Sequence, residues 1–260
     1  MAAQLSVSIV SHGHGPHVRA LLSVLAQRGA TPLARVWLTL NVPEPGLLAL
    51  TDQAWPFDLR LITNAAPQGF GANHNQAFAH EQAQAVTAPF FAVLNPDMAW
   101  ASDPFPALLA AAQQPLAGCA YPLQLDPQGR EQDHRRALPS PLALWQRYVG
   151  PRPMPEPVCA APDWVNAAFL LFPTPAYTAI GGFDPGYFMY CEDVDISLRL
   201  QLAGYRLVEA PQARVVHDAH RASRRDVRHL LWHLRSLWRL WRSAPYRRFQ
   251  AQRPVVTIRG

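Results

Sequence analysis

The chain has 260 residues, 49% hydrophobic and 16% charged, which suits one substantial domain with a packed core and excludes a disordered chain. All 23 basic residues are arginine, which excludes lysine-dependent chemistries: the P-loop, the pyridoxal Schiff base and the protein-kinase phosphate lysine. The net charge of +5 is uneven, because residues 214–260 hold twelve Arg against Asp218 and Asp226, whereas residues 1–213 hold eleven Arg against sixteen acids.

Leu5–Val10 is a compact β-branched run that predicts a buried first strand, closed by the turn Ser11-His12-Gly13-His14-Gly15-Pro16. Val18–Gln27 has helical apolar spacing and stops before Gly29. Arg35–Leu40 and Leu59–Thr63 predict the next two strands, Ala72–Gln84 a helix, and Phe90–Leu94 a fourth strand running into Asn95-Pro96-Asp97. Pro139–Pro162 is proline-rich and predicts a loop. Trp164–Phe172 reads as an apolar strand or buried segment, and Gly181-Gly182-Phe183-Asp184 as a turn. Glu192–Ala203 predicts a helix ended by Gly204, Tyr205–Glu209 and Arg214–Val216 two short strands, and Ser223–Ser243 a last helix. This alternation implies an α/β fold: a mostly parallel sheet flanked by helices, with a basic amphipathic helix at the C-terminal end. The organisation expected is a domain over residues 1–222 and a helical tail over 223–260. In such sheets ligands sit beyond the carboxyl ends of the strands, so the loops after Val10, Leu40, Thr63 and Leu94 share one rim.

Three widely spaced cysteines (Cys119, Cys159, Cys191) suggest no disulfide framework and point to a reducing cytoplasm. The N-terminus lacks a signal-peptide pattern, and no apolar run approaches the ~20 residues that span a bilayer.

Chemistry-bearing residues fall at strand ends. Asp97 would point into the rim, where a hard divalent cation takes oxygen ligands, although Asn-Pro-Asp is also ordinary turn chemistry. In Asn64–Asn75, Gly69 and Gly71 permit close backbone approach, and the following helix offers free N–H groups to a phosphate or simply begins there. Glu192-Asp193-x-Asp195 is the densest acidic cluster. A helix start favours acids, but the aromatic approach Tyr187-Phe188-Met189-Tyr190 would also desolvate a carboxylate and suit it to act as a base. His217 ends a strand, as a structural histidine or a ligand. His12, His14 and His17 crowd one Gly/Pro turn with no carboxylate or cysteine beside them in sequence, which argues against a metal site there.

In this order, Val7-Ser8-Ile9-Val10-Ser11, Gly69-Phe70-Gly71-Ala72-Asn73, Leu94-Asn95-Pro96-Asp97, Asp163-Trp164-Val165-Asn166-Ala167-Ala168 and Gly181-Gly182-Phe183-Asp184 through Glu192-Asp193-Val194-Asp195-Ile196-Ser197-Leu198-Arg199-Leu200 resemble the inverting family-2 glycosyltransferases of GT-A fold. The rhamnosyl- and galactofuranosyltransferase-like branch, which builds bacterial surface polysaccharides, is the nearest in pattern, and the resemblance covers about residues 5–223. It implies transfer of a sugar from a nucleoside-diphosphate donor, dTDP-rhamnose or a UDP-hexose, to a glycan or lipid-linked acceptor. By position, Asp97 would hold Mn²⁺ or Mg²⁺ with help from His217, and Asn95 replaces the first acid of the usual D-x-D as a sugar contact. Asp193 would be the general base, with Glu192 orienting it or touching the acceptor. Ser11, Asn41, Gly71 and Asn73 would line the nucleotide pocket. Two positions depart from the family's pattern: Leu40 stands where an acid commonly reads the pyrimidine ring, and His220 where glycine is common.

Between Arg224 and Arg242, Val227, Leu230, Leu231, Leu234, Leu237, Trp238 and Trp241 recur at helical spacing, with Arg228, Arg235, Arg239 and Arg242 largely on the other side. Such a helix suits the inner-membrane surface of a peripheral cytoplasmic protein, or packs on its own domain or in a homodimer. Besides the transferase, two classes remain: an inactive relative that binds nucleotide or glycan, and a basic-helix membrane or nucleic-acid binder. Nucleic acid is not the expected partner, since it leaves Asp97, Glu192 and Asp193 without a role.

Overall fold

The computed structural model describes residues 5–27, 32–139, 161–217 and 227–252. The strands are β1 (Leu5–Ser11), β2 (Leu33–Leu40), β3 (Asp58–Thr63), β4 (Phe90–Leu94), β5 (Met98–Ala99), β6 (Ala117–Leu125), β7 (Arg135–Arg136), β8 (Trp164–Val165), β9 (Phe169–Pro173) and β10 (Arg206–His217). The helices are α1 (Gly15–Gln27), α2 (Pro45–Leu48), α3 (Phe70–Gln82), α4 (Phe105–Ala112), α5 (Thr174–Ala179), α6 (Glu192–Leu202), α7 (Val227–Arg242) and α8 (Ala244–Gln252). Eight strands form one sheet in the order β3-β2-β1-β4-β9-β6-β10-β5. The pairs β3-β2-β1-β4 and β6-β10 are parallel, whereas β9 and β5 run antiparallel to their neighbours. This is the α/β architecture that the alternation of elements predicts.

Alternation along each strand divides the core into two layers. Ala92 and Leu94 of β4 join Leu5, Val7 and Ile9 of β1 against α1 and α4. Phe91 and Val93 face the other way, against Ala77 of α3, Tyr177 of α5 and Ile196 of α6. A third cluster joins Tyr187, Val194 and Leu198 to Leu237 and Leu240 of α7 and Tyr246 of α8. Thus α7, expected as part of a tail, shares a core with α6. Residues 223–226 of that predicted helix and the segment 140–160 lie outside the described residues, as do Cys159 and His220. Cys119 and Cys191 are free and buried.

Two short strands predicted after α6 form one, β10. Its register against β6 jumps between Ala210↔Pro122 and Arg214↔Leu123. Pro211 has no N–H to donate, so pairing slips there without the strand ending. Helix α3 begins at Phe70 rather than Ala72, because the Phe70 N–H is held by the Phe188 carbonyl at 2.9 Å. The pair α4–β6, unmarked in the sequence reading, fills Phe105–Leu125.

Candidate active site

The loops after β1, β2 and β3 meet at one edge of the sheet. Asn41 N–H donates to the Ser11 carbonyl (2.9 Å), and Asn64 N–H to the Leu40 carbonyl (3.1 Å). Asn64 Nδ2 bridges Asn41 Oδ1 (2.9 Å) and Asn73 Oδ1 (2.6 Å), while Asn41 Oδ1 also accepts the Gln68 N–H (2.8 Å). Asn73 Nδ2 donates to the Gly69 carbonyl at 2.9 Å. These buried amides are occupied in shaping the 64–73 loop. Ser11 is buried, its Oγ accepting the His14 N–H at 3.2 Å. Leu40 is 1% exposed and packs in the first core layer, so no acid occupies that strand end.

The two glycines of the loop let another part of the chain pack against it. A Cβ on Gly69 would lie 2.8 Å from the backbone of Tyr187 and Phe188, and one on Gly71 would collide with the Phe183 side chain. The close approach that glycine permits here is by the chain's own 183–188 segment. Asn75 fastens that segment: its Nδ2 donates to the Phe183 carbonyl (2.7 Å), and its Oδ1 accepts the Phe183 N–H (2.9 Å) and the Tyr177 hydroxyl (2.7 Å).

At the end of β4, Asn95 is half-buried and its N–H donates to the Ala168 carbonyl at 2.8 Å. The β5–β10 pairing sets Met98 opposite His217. Asp97 Oδ2 therefore lies 3.5 Å from His217 Nε2. Burial pushes the Asp97 carboxyl up, but the hydrogen bond and charge of His217, with His14 beyond, hold it below its ordinary value. His14 itself is lowered by burial, against the pull of Asp97. Two carboxylates absent from the histidine turn in sequence act on it in the fold: Asp97 through its charge, and Glu44, whose Oε1 accepts the Gly13 N–H at 3.0 Å. Asp97 Oδ1 and His217 Nδ1 are buried and have no hydrogen-bond partner. One oxygen and one nitrogen donor with free lone pairs suit a divalent cation. Among the described residues, no group of three or more such donors is gathered at one point.

The acidic cluster opens α6. Tyr190 (φ +71°) and Cys191 (φ +64°) precede it in the left-handed region, a conformation costly for side-chain-bearing residues that persists where surroundings enforce it. Those surroundings are α7: Ser236 Oγ donates to the Met189 carbonyl at 2.8 Å, Tyr190 Oη and His229 Nδ1 are 2.8 Å apart, and Phe188 packs on Trp232. Burial pushes Glu192 well up, reinforced by Asp193, and its Oε2 has no hydrogen-bond partner. Asp193 is half-buried and is likewise raised by burial, against the Val194 N–H it accepts at 2.9 Å and the charge of Arg136. Asp195 instead pairs with Arg199 at 2.7 Å and supports the helix.

The two halves are stitched together by the 126–139 hairpin. Gln132 Nε2 donates to the His217 carbonyl (2.7 Å), β7 pairs with β8, and the Val165 N–H reaches Ser197 Oγ of α6 at 3.4 Å. Asn166, which follows β8, locks its amide with Gln124 at 2.7 and 2.9 Å, next to the Ala168–Asn95 contact. Asp97, His217, Glu192 and Asp193 are therefore tied into one framework. Sequence reasoning set His14 aside for want of a neighbouring carboxylate and did not single out Arg136; the charges that link them to Asp97 and Asp193 act only in the folded chain.

The family model "Glycosyltransferase like family 2" matches residues 3–241. The chain belongs to glycosyltransferase family 2. It is 33% identical over 263 residues to the N-acetylglucosaminyl-diphospho-decaprenol L-rhamnosyltransferase of Mycobacterium tuberculosis, an alignment spanning 92% of this chain and 84% of that protein. The mannosyltransferase PcManGT from Pyrobaculum calidifontis, solved in complex with GDP-Man and Mn²⁺, superposes with a TM-score of 0.63 at 14% identity, over 95% of this chain and 69% of that one. GalNAc-T7, solved with UDP, GalNAc and Mn²⁺, superposes with a TM-score of 0.59 at 18% identity, over 83% of this chain and 43% of that one. This family-2 glycosyltransferase therefore shares its fold with the GT-A transferases and stands in the rhamnosyltransferase branch. Its activity is sugar transfer in glycan synthesis.

Proposed function

We propose that this glycosyltransferase moves a deoxyhexose or hexose, rhamnose foremost, from a nucleoside-diphosphate donor to a lipid-linked glycan acceptor with inversion. The observation that carries the reading is the Glu192–Asp193 pair, buried enough at the start of α6 for both carboxyls to be raised. A base with a raised pKa takes a hydroxyl proton more readily than an ordinary aspartate. Asp193 would accept the acceptor's proton as its oxygen attacks the anomeric carbon from the face opposite the leaving group. The strained Tyr190–Cys191 turn fixes that carboxylate, and Glu192 beside it orients the acceptor. A single displacement needs no second carboxylate close to the sugar.

Asp97 and His217 would hold a divalent cation, Mn²⁺ or Mg²⁺; the metal, when bound, neutralises the leaving diphosphate. Asn95, Ser11 and the Asn41–Asn64–Asn73 ladder would shape the donor pocket, the ladder by holding the 64–73 loop rather than by free amide groups. The L-rhamnosyl and diphospho-decaprenol in the mycobacterial relative's name support the choice of rhamnose and of a polyprenyl acceptor. No helix among the described residues is long and apolar enough to cross a membrane, and α7 carries an outward apolar face, which supports peripheral docking on the inner membrane.

The test is release of nucleoside diphosphate from dTDP-, UDP- and GDP-sugars, with Mn²⁺, Mg²⁺ or chelator, in the presence of polyprenyl-linked acceptor. Turnover of one donor, dependent on metal and lost in Asp97→Ala and Asp193→Ala, is the expected result. Donor binding without turnover in the native chain would make this an inactive relative, and a product that retains configuration would overturn the single displacement.

A further inference from the structure

We propose that the groove between the 180–185 turn and the α7–α8 corner binds the phosphate headgroup of an anionic membrane lipid, whose hydrocarbon lies along the outward stripe of α7. The inference rests on the membrane docking proposed above and names the site that performs it. The groove encloses about 590 Å³, and Asp184, Asp195, Arg199, Trp238, Arg239 and Arg242 line it. None of Asp97, His217, Glu192 or Asp193 does.

Its two carboxylates are already engaged. Asp184 takes both its oxygens to Arg239 Nη2, at 2.8 and 3.1 Å, and Asp195 pairs with Arg199 Nε at 2.7 Å. Three guanidinium groups against two carboxylates leave the groove one positive charge in excess. Arg199 is committed to the framework, its Nη1 going to the Ile180 carbonyl (2.7 Å) and its partnerless Nη2 being buried, so the open donor of the groove is Arg242. The exposed Arg242 stacks over the Trp238 ring at 4.5 Å. Planar N–H forks are the groups that match phosphate oxygens, and an indole beside them suits the headgroup level of a bilayer.

The apolar half of the ligand is matched by the same helix. Leu230, Leu231, Leu234 and Trp238 are 53–60% exposed. At positions i, i+1, i+4 and i+8 they form one stripe, and Trp238 belongs to both stripe and groove. The adjoining face, through Ser236, Leu237 and Leu240, is buried against the 187–198 segment. A nucleic acid would use the arginines but leave four exposed apolar side chains unburied, whereas a lipid surface uses both.

The experiment is co-sedimentation of the full chain with vesicles of phosphatidylcholine alone, or with about one third phosphatidylglycerol. Binding is expected to be at least about tenfold tighter with phosphatidylglycerol. Arg242→Gln and Trp238→Ala should each weaken it about fivefold, the effect of one arginine near such a surface, while Arg247→Gln, an exposed arginine outside the groove, changes it less than about twofold. Equal binding to both vesicles, equal loss in Arg247→Gln and Arg242→Gln, or a stripe found covered by a second copy in analytical ultracentrifugation would each overturn the proposal. Metal-dependent donor hydrolysis, read on the same samples, is expected to survive Arg242→Gln. A chain that binds these vesicles as predicted but hydrolyses no donor would overturn the donor reading and leave the groove standing.

Discussion

Glu81 and Glu192 are both buried glutamates, 0% and 6% exposed, yet their surroundings are opposite. Glu81 receives N–H groups from Arg35 Nε (2.9 Å), Arg35 Nη2 (3.1 Å), Trp37 Nε1 (2.8 Å) and Ala88 (2.9 Å). Glu192 has an oxygen with no partner, a second acid beside it, and a backbone turn of two left-handed residues before it. A fully satisfied buried charge holds α3 to β2 and asks nothing further of the molecule. An unsatisfied one costs stability and persists where something else uses it. The contrast separates framework from chemistry without reference to any relative.

The comparison breaks if the chemistry does not sit at the second acid pair. Asp193→Asn should lower kcat by about 10²–10⁴-fold with the melting temperature unchanged or raised, because a positioned base is lost while no satisfied contact is. A steady-state assay beside a thermal melt checks both halves. Glu81→Ala should do the reverse, costing about 3–5 kcal/mol of stability by leaving the half-buried Arg35 and the buried Trp37 and Ala88 N–H groups without their partner. Urea unfolding would show it, and activity should fall only as far as the folded fraction does.

Glu192→Gln sharpens the comparison through pH. Because burial raises the folded carboxyl, the folded chain keeps a proton over a range in which the unfolded chain has lost it. Stability therefore declines as pH rises through that range. The glutamine variant lacks this slope, so it should match the parent near pH 5 and melt about 2–4 °C higher near pH 8 for each ~1 kcal/mol of relief. The smallest expected effect is in the pH profile of the parent. With Asp193 as the proposed base, activity should fail as pH falls through its raised pKa, so the acid limb of kcat/KM should lie above the ordinary value of about 3.9.

Much of the fold is legible in the chain, because strand and helix periods are local. Leu5–Val10, Arg35–Leu40, Leu59–Thr63 and Phe90–Leu94 each lie within a strand of the sheet, β4 to the residue. Phe105–Leu125 is harder to read because its alanine-rich run offers no clear period, although Asp103 caps it, accepting the Phe105 N–H at 3.0 Å. Of the site, the acids at Asp97, Glu192 and Asp193 were visible as polar residues at element ends. The roles of Gly69 and Gly71 were not: a glycine announces that something approaches closely, but not whether it is a ligand or the Phe183 and Phe188 of the same chain.

The sequence by itself determined the α/β alternation of most elements and the family, and it marked Asp97, Glu192 and Asp193 as candidates. Only the tertiary structure decided which groups meet: His217 with Asp97, Ser236 with the Met189 carbonyl, and Arg239 with Asp184. It also decided which face of α7 looks outward. The apolar residues read as one stripe in sequence are divided, Leu237 going to the core and Leu230, Leu231, Leu234 and Trp238 to the surface. A periodic pattern fixes that a helix has faces. The choice of face depends on contacts with Tyr187, Met189 and Tyr190, which lie forty or so residues earlier and are brought up only when the sheet has closed around α6.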